Sequence, residues 1–332
     1  MSYNITVTVS NSSYTMSSYS RMALVCMYLL VFLVGIIGNV KLIRLLMVSR
    51  NISIIPFLNL GIADLLFVIF IPLYIIYILS NFHWHFGKAL CKISSFFFTS
   101  NMFASIFLIT VISVYRYVKI TLPGFTYKYV NIRNMYITIF FIWIISIILG
   151  IPALYFRNTI VTKNNDTLCI NHYHDNREIA ELIYKVIICI RFILGYLLPM
   201  IIILVCYTLL IYRTNNASNI SDKIFFITAS TALVFFICWM PHHIINVISL
   251  LSSNSKSKAL RSFIREASPI FVGFGCVYSA LNPIIYLAVI RLLDRCNNNT
   301  YESLRETLTD ENESVSSVAD VYDDIEIRNV NT

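Results

Sequence analysis

Residues 22–47, MALVCMYLLVFLVGIIGNVKLIRLLM, decide the fold, because no charge interrupts them before Lys41. At about 1.5 Å of helical rise per residue, such a run reaches across a hydrocarbon core about 30 Å thick. Six comparable runs follow, near 57–80, 90–115, 135–155, 182–212, 224–251 and 267–290. Seven crossings put the two ends of the chain on opposite sides of a membrane, which suits a protein that carries a signal across it. Composition agrees: 58% of the 332 residues are hydrophobic and 13% charged. A mean hydropathy of +0.73 leaves too little polar surface to coat a soluble globule of 38.2 kDa. The expected fold is all-α and membrane-integral, a seven-transmembrane helix bundle over residues 22–290 behind an extracellular N-terminal segment, 1–21. A short amphipathic eighth helix is expected on the membrane surface over 291–305, and a disordered acidic cytoplasmic tail over 306–332. Residues 1–20 are polar and uncharged, without the basic n-region of a cleavable signal peptide, so the first span is expected to act as its own insertion signal.

The Lys/Arg asymmetry that usually sets orientation is weak here. Asn4, Asn11 and Asn165 head glycosylation sequons that fall on one face. Cys91 and Cys169 lie on that same face, where an oxidising lumen would pair them and staple the loop after the fourth span to the bundle. These features place the N-terminus outside and the C-terminus in the cytoplasm of a multi-pass plasma-membrane protein. Cys26, Cys189, Cys206, Cys238 and Cys276 sit within spans and read as small packing residues. Cys296 is juxtamembrane, a palmitoylation candidate or an unmodified thiol.

Polar groups in hydrocarbon are costly. Asp64, Asn39, Asn101, Ser105 and Asn282 lie at similar depth on different spans, and two readings of them stand: a hydrated pocket able to hold a sodium ion, or a purely structural network between helices. Pro72, Pro152, Pro199, Pro241 and Pro283 interrupt five spans and permit kinks. His242 and His243 project about 100° apart on a helix and do not converge on one metal; no metal beyond sodium is expected. Lys41 and Arg44, in the inner half of the first span, are read as snorkelling to headgroups.

Tyr115-Arg116-Tyr117 ends the third span, Cys238-Trp239-Met240-Pro241 kinks the sixth, Asn282-Pro283-Ile284-Ile285-Tyr286 closes the seventh, and Trp143 sits in the fourth. With Gly38-Asn39, Asp64, Cys91 and Cys169, these resemble the rhodopsin-like (class A) G protein-coupled receptors, one signature per helix and in order, over about residues 22–305. The stretches His83–Ser94, Asn101–Thr110 and Arg191–Pro199 are similar to the chemoattractant group of formyl-peptide, chemerin and complement anaphylatoxin receptors. That resemblance implies a ligand pocket at Thr99, Met102, Arg191, Trp239, His242, Asn246 and Ser268. It implies a switch and G protein-coupling surface at Tyr115, Arg116, Tyr117, Tyr207, Asn282, Pro283 and Tyr286, with Asp64, Asn101, Ser105 and Asn282 as the sodium or polar network. The implied partners are an extracellular peptide or protein ligand, a heterotrimeric G protein of the Gi type, an arrestin and a receptor kinase, with no nucleic acid and no cofactor besides allosteric sodium. Ten of the 17 acids follow residue 291, interleaved with Thr307, Thr309, Ser314, Ser316 and Ser317, where phosphorylation would add arrestin-recruiting charge.

Departures from the group carry information too. Tyr115 stands where the family normally has an acid paired with the arginine, so raised basal signalling is expected. Thr99 aligns with the ligand-binding aspartate of the formyl-peptide receptors and Ile187 with one of their two fifth-helix arginines; only Arg191 is kept, so formyl peptides are not the expected ligands. Val272 aligns with a chemokine-receptor glutamate, and the second extracellular disulfide of that group is missing, which argues against chemokines. An acidic or C-terminal-carboxylate ligand fits Arg191. No catalytic triad, metal spacing or phosphate loop is present. Residues 267–290 contain no lysine for a retinal Schiff base, and no inverted repeat suggests a transporter. A non-signalling scavenger or decoy of the same fold is the alternative, for which Tyr115 is equally good evidence. The weight of Ile, Asn, Tyr and Phe suggests an AT-rich genome and a virus-encoded homologue.

Overall fold

The computed structural model describes residues 16–47, 52–162, 164–214, 222–252 and 257–297. Among them seven helical segments are long and apolar enough to cross a membrane: Ser18–Met47, Ile52–Leu79, Gly87–Thr121, Ile132–Phe156, Arg177–Arg213, Ile227–Leu251 and Ser262–Ala288. All seven expected spans are present, most of them a few residues longer than their apolar runs, because helices continue into the polar layer. The third span is the axis of the bundle, with 67% of its membrane window buried against 22–50% for the others. Met102, Phe103, Ile106 and Ile109 on that span meet Met135, Ile139 and Ile142 of the fourth, Ile203 of the fifth, Phe235 and Trp239 of the sixth and Tyr278 of the seventh in one core. Outward faces keep large apolar side chains such as Phe140, Phe141, Leu204 and Ile237, as a hydrocarbon solvent requires.

The prolines act unequally. Before Pro72 the second span tightens: Phe70 N donates to Phe67 O and Leu73 N to Phe70 O, and the helix divides into Ile55–Val68 and Ile71–Leu79. Pro199 has no N–H and would crowd the carbonyl four residues back, at Gly195. The turn Ile193–Leu197 is widened there to a π-helix. Pro152, Pro241 and Pro283 lie inside helices that run on past them. Gly38 matters for the last of these, since a Cβ there would stand 2.7 Å from Pro283 Cγ.

One expectation is corrected. The last helix runs unbroken from Lys258 to Asn297, so no separate helix begins at 291 among the described residues. Arg291-Leu-Leu-Asp-Arg-Cys296 contains neither glycine nor proline, and nothing in it ends the preceding helix. Residues 298–332, with Thr307, Thr309, Ser314, Ser316 and Ser317, lie outside the described residues, as do Asn4 and Asn11.

The fourth span ends under an unforeseen cap. Lys92 Nζ donates to the carbonyls of Leu154 and Tyr155, at 2.5 and 2.9 Å. Two C-terminal carbonyls left over by the helix thus meet a cation, which the helix dipole favours. Lys92→Met is expected to destabilise the bundle by about 1–2 kcal/mol, at and below the lower end of the range for hydrogen bonds to a charged group because the lysine is partly exposed. Thermal unfolding of the purified protein reads it, and an unchanged midpoint would remove the cap from the account.

Candidate ligand pocket and transmembrane switch

The outer mouth is built by a hairpin and a staple. Strands β1 (Arg157–Val161) and β2 (Thr167–Asn171) pair antiparallel, with Thr159 opposite Cys169. Cys169 is bonded to Cys91 on the third span, Cα–Cα 5.8 Å, and Trp84, 2% exposed, packs on the bridge with Phe86 and Tyr77. Trp84 N donates to Thr167 O at 2.7 Å, and its indole N–H donates to Gly87 O at 2.8 Å. Gly87 has φ +71°, a conformation that favours glycine. His83 Nδ1 lies 3.3 Å from Asp166 Oδ1. Asn165 is exposed on the turn between the strands.

Beneath this roof the fifth span brings Arg191 inward. Its Nη2 donates to Thr99 Oγ1 at 3.4 Å, and Thr99 in turn donates to Ser95 O at 3.0 Å. Tyr173 and Tyr184 lie within electrostatic reach of the guanidinium. Their rings are 5.7 Å apart, and Tyr184 donates to Ser249 Oγ at 2.8 Å. Burial pushes the Tyr173 hydroxyl up, with Arg191 opposing, and that hydroxyl accepts from Asn171 Nδ2 at 3.1 Å. Among the described residues no carboxylate pairs with Arg191. His242 Nε2 is 3.1 Å from Asn246 Nδ2, and its ring packs edge-on to Trp239 and Phe98. His243 turns instead to Tyr196, 4.8 Å away. Met102 belongs to the core, 1% exposed and against Gly195, and Ser268 donates to Ile264 O of its own helix. Neither presents a free polar group to a ligand.

Trp239, 2% exposed, packs against Phe98 and His242. It stacks on Phe235, and a Cβ at Gly275 would stand 3.1 Å from its ring, so the glycine lets sixth and seventh helices meet through the indole. Below it lies the polar layer. Ser279 donates to Asp64 Oδ1 at 2.8 Å and Asn282 Nδ2 to Oδ2 at 2.9 Å. Asn101 Nδ2 donates to Ser279 Oγ at 3.3 Å, and Ser105 to Asn101 Oδ1 at 3.2 Å. Asn39 Nδ2 donates to the carbonyls of Gly35 and Ser279. Four expected residues therefore do converge, and they do so through Ser279. Its place one turn before Asn282 was the only sequence signal for it.

At the inner end Arg116 is 6% exposed, and Tyr207 of the fifth span comes within reach of Arg116, Ser113 and Thr228. Tyr115 turns away toward the second span, where Ser53 Oγ donates to its hydroxyl at 3.3 Å; Tyr117 is half-buried. Tyr286 is 4% exposed and packs against Phe57, rings 5.4 Å apart. Side chains of Cys296, Lys258, Arg261 and Arg265 lie outside the described set.

The chain is thus a seven-helix bundle with a stapled outer hairpin, a buried tryptophan at Trp239, an aspartate-centred polar layer and a buried inner arginine. The family model described as 7 transmembrane receptor (rhodopsin family) matches residues 38–286. The chain belongs to this family of receptors, which are not enzymes. It is 44% identical over 335 residues to the G-protein coupled receptor homolog FPV027 of Fowlpox virus, covering 98% of both chains. It is also 36% identical over 288 residues to human Chemerin-like receptor 2, covering 85% of this receptor and 80% of the relative. With rat Chemerin-like receptor 1 the identity is 31% over 280 residues, 80% and 74% covered. The resemblance to class A chemoattractant receptors is thus borne out. Multi-pass membrane residence follows from the seven spans of the receptor.

Proposed function

We propose that the receptor binds a chemoattractant-type peptide or protein through a carboxylate, terminal or acidic, and passes the signal to a heterotrimeric G protein of the Gi type. The observation that carries this reading is Arg191, a cation with no acidic partner among the described residues, which donates to Thr99 and has Tyr173 and Tyr184 within electrostatic reach. A carboxylate is the anion that a planar guanidinium binds through two parallel N–H bonds; the Thr99 and Tyr184 hydroxyl protons are already given to Ser95 O and Ser249 Oγ. Relatives named chemerin-like receptors support a protein ligand of the chemoattractant kind, and a fowlpox relative matched end to end supports a virus-encoded origin. The N-terminus faces outside in the plasma membrane, with Asn4, Asn11 and Asn165 as glycosylation sites. Arrestin and receptor kinase act on the acidic tail, and Cys296 is an acylation site. Asp64, Ser279, Ser105 and Asn101 present the hard oxygens that suit a sodium ion.

Basal activity is set at Tyr115. An acid at this position would pair with Arg116, whereas the tyrosine is engaged with Ser53. Tyr115→Asp is expected to lower agonist-free G protein activation by roughly threefold to tenfold, the shift that about 1 kcal/mol of ion pairing gives. Basal activation in the wild type no higher than in the variant would refute this. Ligand uptake without G protein or arrestin response, across a panel of chemoattractant peptides and proteins, would establish the decoy reading instead.

A further inference from the structure

The outward side of the first span is apolar for most of its length and then changes character. Leu30, Leu33 and Ile37 are 62%, 48% and 54% exposed. The same stripe, spaced as on one helix face, continues into Lys41 and Arg44, both exposed. Lys41 lies two residues past Asn39, about 3 Å of rise, and Asn39 donates to the Ser279 carbonyl within the polar layer. The helix continues to Met47, about 9 Å beyond Lys41. Two cations thus stand side by side, one turn apart, at a depth where unpaired charge is costly.

Among the described residues no acid answers them. None precedes Asp64 in the chain, and both Asp64 oxygens are taken by Ser279 and Asn282 inside the bundle. Among the described residues, no ion pair involves Lys41 or Arg44. Free snorkelling is also poorly directed. Helical Cα–Cβ bonds tilt toward the N-terminus, and favoured rotamers carry long side chains the same way, whereas the nearer interface lies at the C-terminal end. Drawing an anion in to the pair satisfies the charges where bending both side chains out does not.

We propose that this face binds an anionic phospholipid of the leaflet at the C-terminal end of the first span, the cytosolic one when the N-terminus is outside. Arg44 takes two headgroup phosphate oxygens with its planar fork, Lys41 adds a second cation, and an acyl chain lies along Ile37 and Leu33. The occupant is a lipid rather than a free anion because the cations are reached only through hydrocarbon. It is not a second protein copy, since a like helix would bring two more cations.

The test is native mass spectrometry of the detergent-washed receptor offered phosphatidylcholine and phosphatidylserine together. Wild type is expected to retain phosphatidylserine over phosphatidylcholine. The double variant Lys41→Gln/Arg44→Gln should lose at least about threefold of that excess, a modest share of two charge-assisted contacts. Lys128→Gln/Arg133→Gln removes two other exposed cations and should keep it, and Lys41→Arg/Arg44→Lys should keep it as well. Equal retention of the two lipids by wild type, undiminished binding by Lys41→Gln/Arg44→Gln, or equal loss in both Gln pairs would overturn the proposal. Should the first Gln pair fail to fold, wild-type melting in nanodiscs decides: a midpoint that does not rise when phosphatidylserine is added to phosphatidylcholine overturns it. None of these readings depends on the ligand or the G protein.

Discussion

Asp64→Ala is expected to lower the stability of the receptor by about 2–4 kcal/mol, visible as a clear drop in thermal midpoint. The carboxylate accepts from Ser279 and Asn282 of the seventh helix, and Ser279 relays to Asn101 and Ser105 of the third. Removing it strands two donors in a layer where Ser279 is 1% and Asn282 2% exposed, and an orphaned buried donor typically costs about 1–3 kcal/mol. Interhelical hydrogen bonds in membranes average nearer 0.6 kcal/mol by double-mutant cycles, so the two bonds alone account for about 1.2 kcal/mol. The relay supplies the rest, since Ser279 loses its acceptor and the orientation that lets it accept from Asn101. Asp64→Asn keeps one acceptor oxygen and should lose about half as much. The same variants separate the two readings of the layer. With sodium as its occupant, wild-type melting rises when choline chloride is replaced by sodium chloride, and Asp64→Ala melts alike in both. A wild type indifferent to the cation would leave the network structural. An Asp64→Ala protein as stable as wild type would show that the layer ties the helices weakly.

The number of spans was legible because twenty-odd apolar residues have few alternatives to a membrane helix. The convergence of Asp64, Asn101, Ser105 and Asn282 was legible for a related reason: each is expensive alone in hydrocarbon, and mutual contact is the cheapest resolution. Ser279 escaped because a serine can bond back to its own helix and so announces nothing, as Ser268 does here. Lys92 escaped because a lysine near a span end reads as solvated, and its acceptors are backbone carbonyls 62 and 63 residues away. The Arg157–Asn171 hairpin was hidden in a loop whose strands are five residues each, too short for periodicity to mark. Met102 shows the limit of carrying a pocket over from a family: the pattern assigned it to the ligand, while Gly195 and the widened turn before Pro199 make room for it in the core. The expected eighth helix shows the converse, since amphipathic spacing at 291–296 fixes a helix but not the break that would separate it from the seventh.

Cys91→Ser and Cys169→Ser are each expected to free the outer hairpin, and to do so to the same extent, with the double variant no worse than either. The bridge closes a separation of 78 residues, for which a free-chain estimate gives about 4.5 kcal/mol. That figure is an upper limit, because the fourth span is held by the bilayer whether or not the bridge forms; about 2–3 kcal/mol is the realistic loss. The local consequence is larger. Without the bridge, β1 and β2 are tied to the bundle by hydrogen bonds such as Trp84 N to Thr167 O and His172 N to Phe156 O, and an isolated two-stranded hairpin is marginal in water. Amide exchange at Ile160 and Leu168, which face each other in the ladder, should therefore rise in both variants, along with loss of Tyr173 from its place near Arg191. Effects that add in the double variant would mean the two cysteines act separately. The variants should differ in one respect only. Arg157 Nε lies 3.3 Å from Cys169 Sγ, and a guanidinium beside a thiol favours the reactive thiolate. Cys91 is fully buried with a backbone carbonyl, Asn158 O, as its polar neighbour. Cys169 left alone by Cys91→Ser is accordingly expected to react with iodoacetamide faster than Cys91 left alone by Cys169→Ser. The reverse order would show that the hairpin has moved far enough to take Arg157 away from its sulfur.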